Sequence, residues 1–394
     1  MYRLFGSENS PYSIKVRNYM RFKQIPHVWL LKNAANEEEY QSVAKLPIIP
    51  AARCPDGTAM QDSTPMMEAL EVAFPHPPYP AVQPAGDSES EEAALRFIAA
   101  LLEEFGDEWA NKWMFHYRWA RPVDQETVAR RLVAEMLGPG DADAETLQQM
   151  GAMVQQRMSG RGFAVGSNET TAPLIEASFR AALALLEAHL AAGPGCPGNP
   201  GGGRPYLLGG RPSFADFSLA AQLYQALIDP TAGAIMRGGS EGGGSEGGGG
   251  GGGDGGGGFP RVVRWCSGMN EPPPPPPPLP PAQGGGAAAF EEWSALQPTL
   301  EPLLASEVRA FLVWSSANAE AIASKAESMS VDLGPNGGAR WEQSVGGPQK
   351  YHAKSLKELR RKFAAVSANG ALCDILSRCG CLEPLQSKPP QPKL

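Results

Sequence analysis

The residues best suited to chemistry lie near the start of the chain, where Ser10 and Pro11 follow a short apolar segment. Serine is a preferred residue just before a helix and proline suits the first helical position, so a helix is predicted to begin here. The amino end of a helix carries about half a positive charge and unsatisfied N–H groups, and it stabilises a thiolate. From the residues alone, Ser10 is predicted to be a plain helix cap, at a position that would also favour a bound anion.

A second polar pair, Asp62 and Ser63, precedes Thr64 and Pro65 and also lies at a predicted helix start. The N–H groups at the start of a helix can bind an anion. The alternative is again a capping motif without a ligand.

Cysteine and histidine usage argues against a metal site. The six cysteines form no Cys-x-x-Cys motif, and the five histidines do not cluster near them. We therefore expect no metal, no disulfide scaffold and a reducing, cytoplasmic setting.

The segments around these polar residues alternate between strand and helix patterns. This order, β-α-β-α, a β-hairpin and α within 80 residues, predicts a small α/β unit that resembles a thioredoxin-like domain. Its predicted elements are a strand at Tyr2–Phe5, a helix to about Phe22, strands at His27–Leu31, Leu46–Pro50 and Ala59–Gln61, and a helix at Met66–Phe74.

The remaining chain is predicted to be helical, with low-complexity insertions. A Gly-rich tract and a Pro-rich tract can bury little and are expected to be disordered. The predicted organisation is a first domain at 1–77, a linker at 78–92, a helical domain at 93–383 with insertions at 238–258 and 271–289, and a flexible tail at 384–394.

Charge and hydropathy argue against nucleic-acid binding, a membrane span and a signal peptide. The net charge is −8, whereas binding to nucleic acid through phosphate contacts normally needs a basic surplus. No run of 18 apolar residues and no basic leader segment occurs, so neither a membrane span nor a signal peptide is expected.

Four motifs occur in the order found in glutathione transferases, and together they give the chain its resemblance to that family. They are Ser10-Pro11-Tyr12-Ser13, Lys45-Leu46-Pro47-Ile48-Ile49, Gln61-Asp62-Ser63-Thr64-Pro65, and Ser213-Phe214-Ala215-Asp216 after Leu208–Pro212. The resemblance covers about 1–237 and 259–269. It implies a thioredoxin-like α+β domain followed by an all-α domain.

The resemblance also implies site residues. Ser10 would be catalytic, as in tau-like classes, by donating a hydrogen bond to the glutathione sulfur. Serine stands at both positions where thiol-exchange relatives have cysteine, so disulfide exchange is not expected. The residues expected to bind glutathione are Tyr12, Ser13, Leu46, Pro47, Asp62 and Ser63.

Two of these expectations have structural alternatives. A cis bond at Pro47 would expose the main chain of Leu46 to the cysteinyl part of glutathione, and an ordinary strand proline is the alternative. Tyr12 competes with Ser10 for the sulfur, and its alternative is an exposed ring in a cleft wall.

An aromatic stripe opens the helical part of the chain. Its members could line an apolar electrophile pocket, but such a stripe is more often part of a core. The residues are Trp109, Trp113, His116 and Tyr117.

The leading hypothesis is an enzyme that adds the glutathione thiol to a hydrophobic electrophile, with glutathione as co-substrate, no further cofactor, and a homodimer as in the family. The alternative is a binding protein that keeps the fold without turnover. The Pro-rich run at 272–281 could bind a Pro-reading module or serve as a stiff spacer.

Overall fold

The chain begins with a four-stranded mixed sheet covered by helices. In this computed structural model the strand order is β2-β1-β3-β4, with β1 parallel to β2 and β3 antiparallel to both β1 and β4. The elements are β1 (Tyr2–Gly6), α1 (Pro11–Phe22), β2 (His27–Leu31), α2 (Glu37–Val43), β3 (Ala51–Arg53), β4 (Ala59–Gln61) and α3 (Ser63–Ala73). The structure describes residues 1–138, 143–193, 202–239, 257–271, 290–334, 339–345 and 349–387.

A helical part follows directly. Its first helix runs into a short π-helical segment at Gly106–Ala110, and a further π-helical segment lies at Leu304–Val308. The helices are α4 (Glu89–Phe105), α5 (Asn111–Ala120), α6 (Pro122–Leu137), α7 (Ala144–Ser159), α8 (Ala172–Ala191), α9 (Phe214–Leu227), α10 (Pro230–Arg237), α11 (Pro260–Asn270), α12 (Trp293–Leu303), α13 (Arg309–Ala323), α14 (Gln349–Val366), α15 (Gly370–Arg378) and α16 (Leu382–Gln386).

The central helix of this part is α9, in which every residue but Tyr224 is buried. It starts at a capping box, in which the Asp216 carboxylate accepts from the Ser213 N–H at 2.8 Å, as the motif predicts. The same carboxylate accepts from the indole of Trp265 at 3.1 Å. Tyr19 of α1 packs edge-on against Phe217 at 5.7 Å, so α9 joins the two parts through one core.

The predicted fold class, a thioredoxin-like α+β unit followed by a largely helical part, is confirmed. The structure adds one antiparallel hairpin that the sequence patterns did not indicate, made of β5 (Ser328–Asp332) and β6 (Arg340–Ser344). These strands are mostly polar, and only Trp341 of β6 is fully buried. Its ring packs against Trp109 and Trp314.

Three sequence boundaries need correction. Residues 46–49 form a loop and not a strand, because only Ala51–Arg53 pairs with β1. The helix after the linker already begins at Glu89, where Ser88 caps it. Pro384 and Leu385 belong to α16 and are buried, so the predicted tail begins too early.

Most of the two predicted insertions lies outside the described residues. At the ends of the glycine tract, however, the main chains of Gly238 and Gly258 touch, since a methyl group added to Gly238 would lie 2.6 Å from the Gly258 nitrogen. The N–H of Phe259 also bonds to the carbonyl of Met236 at 2.8 Å. The end of α10 and the start of α11 are therefore in contact with each other on either side of the tract.

Deleting residues 240–256 is expected to leave the melting temperature within about 5 °C of the parent protein. The contacts that join α10 to α11 are retained, and shortening a loop changes its closure entropy by only about 0.6 kcal/mol per halving. Thermal unfolding of the two chains measures this. A larger drop would show that the removed residues make stabilising contacts.

Within the described ranges, no helix is both long and apolar enough to cross a membrane.

Candidate active site

One edge of the sheet brings three of the predicted motifs together. Strands β1, β2 and β4 run in the same direction, and β3 runs in the opposite direction. The carboxyl ends of β1 and β4 and the amino end of β3 therefore share an edge. Ser10 follows β1, Pro50 precedes β3, and Ser63 follows β4 at the start of α3.

Ser10 is half-buried and caps α1. Its Oγ accepts a hydrogen bond from the N–H of Ser13 at 3.3 Å. A hydroxyl has one donor and two acceptor positions, so capping leaves the hydroxyl hydrogen of Ser10 available for another acceptor. The cap and the donor roles are thus compatible.

The two neighbouring site residues are turned towards the protein. The hydroxyl of Tyr12 donates to the carbonyl of Asp107 at 2.8 Å. Burial, with Glu108 and Asp107 nearby, raises the pKa of Tyr12 well above its usual value. The hydroxyl of Ser13 is fully buried and has no hydrogen-bond partner in the described part of the chain.

Before β3 the cis peptide bond is Ile49–Pro50 and not Leu46–Pro47, so the predicted position was wrong. Pro47 and Pro50 both follow an aliphatic residue, so the local sequence does not show which of them follows a cis bond. The pairing of β3 with β1 distinguishes them. Pro50 is buried next to Ala51, the first residue of β3, whereas Pro47 is exposed.

The main chain of Leu46 is already bound within the protein. The Gln61 side-chain amide donates to the Leu46 carbonyl at 2.8 Å, and its oxygen accepts from the Leu46 N–H at 3.1 Å. By contrast, no hydrogen bond among the described residues involves the main chain of Ile49.

The other end of the edge is formed by Asp62 and Ser63. Asp62 has a φ of 76°, in the left-handed region, and it immediately precedes α3. Ser63 is buried, and its Oγ lies 3.5 Å from Oδ2 of Asp107. The chain enters α3 directly after Asp62. Because Ser63 is the first residue of α3, its hydroxyl lies beside the first N–H groups of that helix.

Beneath this end lies a buried ionic cluster that the sequence analysis missed. Lys15 of α1 is fully buried, and its Nζ contacts the carboxylates of Glu103 and Asp107, the latter at 2.7 Å. It also donates to Oγ1 of Thr64 at 3.0 Å. The cluster joins α1, α3 and α4, so it holds the two helix starts of the site against the helical part.

The cluster shifts the pKa values of its members. Burial raises the pKa of Asp107 to about 6, while the positive charge of Lys15 opposes that rise. Burial by itself would lower the pKa of Lys15, but the carboxylates of Asp107 and Glu103 raise it above its usual value. Lys15 therefore stays charged.

The aromatic stripe is in the core. Trp109, Trp113, His116 and Tyr117 are all between 0 and 4% exposed. The indole N–H groups of both tryptophans donate to the hydroxyl of Ser178 at 3.0 Å. This burial favours the core alternative over a pocket-lining role.

The helical part also holds the turn that leads to Ser10. Arg118 of α5 donates to the carbonyl of Asn9 at 2.9 Å, and Gln225 of α9 donates to the carbonyl of Glu8 at 2.8 Å. Asp229 in turn accepts from Arg118 at 2.8 Å. All of these groups are distant in sequence, and no local pattern pairs them.

Helix α14 of the C-terminal region packs against α4, where the rings of Phe363 and Phe97 lie 5.5 Å apart. His352 of α14 pairs with Glu108, and Lys362 of α14 pairs with Glu68 of α3 at 2.6 Å.

Among the residues that the structure describes, no group of three or more His, Cys, Asp or Glu side chains could hold a metal ion.

Comparison with known families and structures gives the following matches. A family model described as the N-terminal domain of glutathione S-transferase matches residues 4–78, and one for its C-terminal domain matches residues 140–266, together just over half of the chain. No curated protein matches the chain.

Several solved structures are similar at low identity. A glutathione S-transferase from Rhodospirillum rubrum is 17% identical, with 75% of this chain and 100% of that chain covered and a TM-score of 0.38. Glutathione transferase F7 from Populus trichocarpa is 13% identical, with 77% and 99% covered and a TM-score of 0.37. A tau-class glutathione S-transferase from mango is 14% identical, with 77% and 98% covered and a TM-score of 0.35.

Proposed function

Because the chain belongs to the glutathione S-transferase family, we propose that it binds glutathione at this sheet edge and activates its thiol for attack on a hydrophobic electrophile. The observation that carries the proposal is the position of Ser10. Its hydroxyl caps α1 and keeps a hydrogen free to donate, at the edge that it shares with Pro50 and Ser63.

The proposed chemistry is thiolate stabilisation without a covalent enzyme intermediate. A glutathione sulfur beside Ser10 would receive the hydroxyl hydrogen bond and lie at the positive end of the α1 dipole. Both interactions favour the thiolate over the thiol, whose ordinary pKa is about 8.5. The thiolate then attacks the electrophile, and the bound geometry supplies the proximity.

The rest of glutathione fits the edge as follows. The free main-chain groups of Ile49 suit the cysteinyl backbone better than those of Leu46, which Gln61 already binds. Ser63 and the first N–H groups of α3 suit the γ-glutamyl carboxylate. Asp62 is proposed to bind the γ-glutamyl ammonium.

Tyr12 and Ser13 remain weaker proposals as glutathione ligands. The hydroxyl of Tyr12 already donates to Asp107, and the side chain of Ser13 is buried. Homodimerisation and a cytoplasmic location also remain predictions, and the Pro-rich run lies outside the described residues.

A non-catalytic glutathione-binding protein is the second candidate. The observation that favours it is the number of polar groups at this edge that are already bound within the protein, including the main chain of Leu46 and the hydroxyl of Tyr12. Fewer protein groups at this edge would then be available to contact a bound glutathione and activate its thiol.

We expect the protein to be retained on immobilised glutathione and to conjugate glutathione to a general aromatic electrophile. Binding can be measured by calorimetry with free glutathione, and turnover by product formation. Binding without turnover would favour the second candidate, and the absence of both would reject the glutathione site.

A further inference from the structure

The peptide segment Ser7–Ser10, called here the Ser10 turn, receives a contact from α6. Oε2 of Glu135, in the last turn of α6, accepts from the N–H of Glu8 at 2.8 Å and from the side-chain amide of Asn9 at 3.1 Å. Helix α6 spans residues 122–137 and lies outside both segments that match the family models.

We propose that Glu135 is a positioning residue that fixes the Ser10 turn, so that a helix outside the family-matched segments sets the place of the catalytic hydroxyl. This inference rests on the proposed function.

The contacts hold the turn from two sides. Glu135 binds the N–H of Glu8, while Gln225 of α9 binds the carbonyl of the same residue at 2.8 Å. The next carbonyl, of Asn9, accepts from Arg118 at 2.9 Å. Within the turn, the Asn9 N–H donates to the Ser7 hydroxyl at 3.0 Å and the Ser10 N–H donates to the Ser7 carbonyl at 3.2 Å, and these bonds shape the turn without attaching it to the rest of the protein. The orientation of the turn therefore depends on the helical part.

The side chain of Glu8 is bound by other groups. Its carboxylate accepts two hydrogen bonds from Arg17, at 2.5 and 2.6 Å, and one from the indole of Trp29 at 2.9 Å. Because Arg17 neutralises this carboxylate, Glu135 can bind the backbone of Glu8 without facing an unpaired negative charge.

The consequence for catalysis follows from geometry. Ser10 is the residue immediately after Asn9, so a shift of the Asn9 peptide moves the Ser10 hydroxyl. A displacement of about 1 Å at a reacting group can lower turnover about 100-fold. Releasing one side of the turn is therefore expected to affect turnover more than glutathione affinity, because Ile49 and Ser63 are untouched.

The test compares Glu135→Ala with Glu135→Gln. The alanine variant removes both contacts, whereas the glutamine oxygen can still accept from Glu8 and Asn9. Glu126→Ala is the matched control, because Glu126 lies on the same helix and is exposed, and among the described residues its one ion pair is with Arg130, one turn away. For Glu135→Ala we expect at least a tenfold loss of kcat, with KM for glutathione changed less than threefold. The glutamine variant and the control should both stay within twofold of the parent protein.

Hydrogen exchange supplies a readout that does not depend on turnover. The amide of Glu8 should exchange at least tenfold faster in Glu135→Ala and at the parent rate in Glu135→Gln and Glu126→Ala. Unchanged exchange in Glu135→Ala would overturn the inference, as would an equal loss of kcat in Glu135→Ala and Glu135→Gln. If the parent protein neither binds nor conjugates glutathione, the proposed function fails and the catalytic role of Glu135 is overturned with it. The exchange data would then report only whether Glu135 holds the turn.

Discussion

Replacing Lys15 by methionine is expected to lower the free energy of unfolding by about 3–5 kcal/mol. Lys15 is fully buried between Glu103 and Asp107, and its removal leaves two buried carboxylates without their counter-charge. Removing one partner of a buried ion pair costs much more than the pair itself contributes, because the remaining charge is already desolvated. Urea unfolding at pH 7 measures the loss.

The Lys15→Met loss should depend on pH in a defined direction. Burial already raises the pKa of Asp107 to about 6 in the parent protein, and loss of the ammonium removes the charge that opposes this rise. A carboxyl group with a raised pKa binds its proton more tightly in the folded state, so its contribution to stability is present at low pH and is lost as pH rises through that pKa. The variant should be less destabilised at pH 5 than at pH 8.

Lys32→Met is the control for removing a lysine charge. Lys32 is about one-third exposed and pairs with Glu37 at 3.2 Å at the surface. Such a pair contributes about 0–1 kcal/mol, so little change is expected. If Lys15→Met were no more destabilising than this control, the buried cluster would not hold α1 against α4.

Replacing Ser10 by alanine is expected to reduce kcat for glutathione conjugation between about 10-fold and 100-fold. A hydrogen bond to a charged sulfur contributes about 1.5–3 kcal/mol, and a factor of ten in rate corresponds to about 1.4 kcal/mol. The pH at which turnover is half-maximal should also rise, because the thiol loses part of the interaction that favours its ionised form. Steady-state kinetics between pH 6 and 9 measure both effects.

Loss of a helix cap must be separated from loss of a thiol donor. Ser88→Ala is the matched control, since Ser88 caps α4 in the same way, with its side chain accepting from the N–H of Glu91 at 3.2 Å. Each variant should lose about 1 kcal/mol of stability. Only Ser10→Ala should lose activity, and full activity in that variant would assign the sulfur contact to another residue.

Residues with local partners were predictable from the sequence. The helix start at Ser10 and Pro11 and the capping box of Ser213 and Asp216 both depend on groups within three residues. Such bonds need only residues of these types at this spacing at a helix start, so they can be predicted from a short stretch of sequence. The order of strands and helices in the first 74 residues could also be predicted, because it depends on local sequence patterns.

Residues whose partners lie far along the chain were not predictable. Lys15 pairs with groups 88 and 92 residues away, and Glu135 contacts a turn 127 residues before it. The aromatic stripe repeats at helical spacing whether it faces a pocket or the core, and only the packing of α8, α13 and β6 around it fixed the outcome.

The sequence by itself determined the secondary-structure order, the caps at Ser10 and Ser213, and the family resemblance, because these follow from short-range hydrogen bonds and hydrophobic periodicity. Only the tertiary structure decided that Pro50 and not Pro47 follows the cis bond, and that Lys15 is buried beneath the site. The physical reason is that strand pairing and burial depend on which distant segments exclude water together, and no short window of sequence contains both partners.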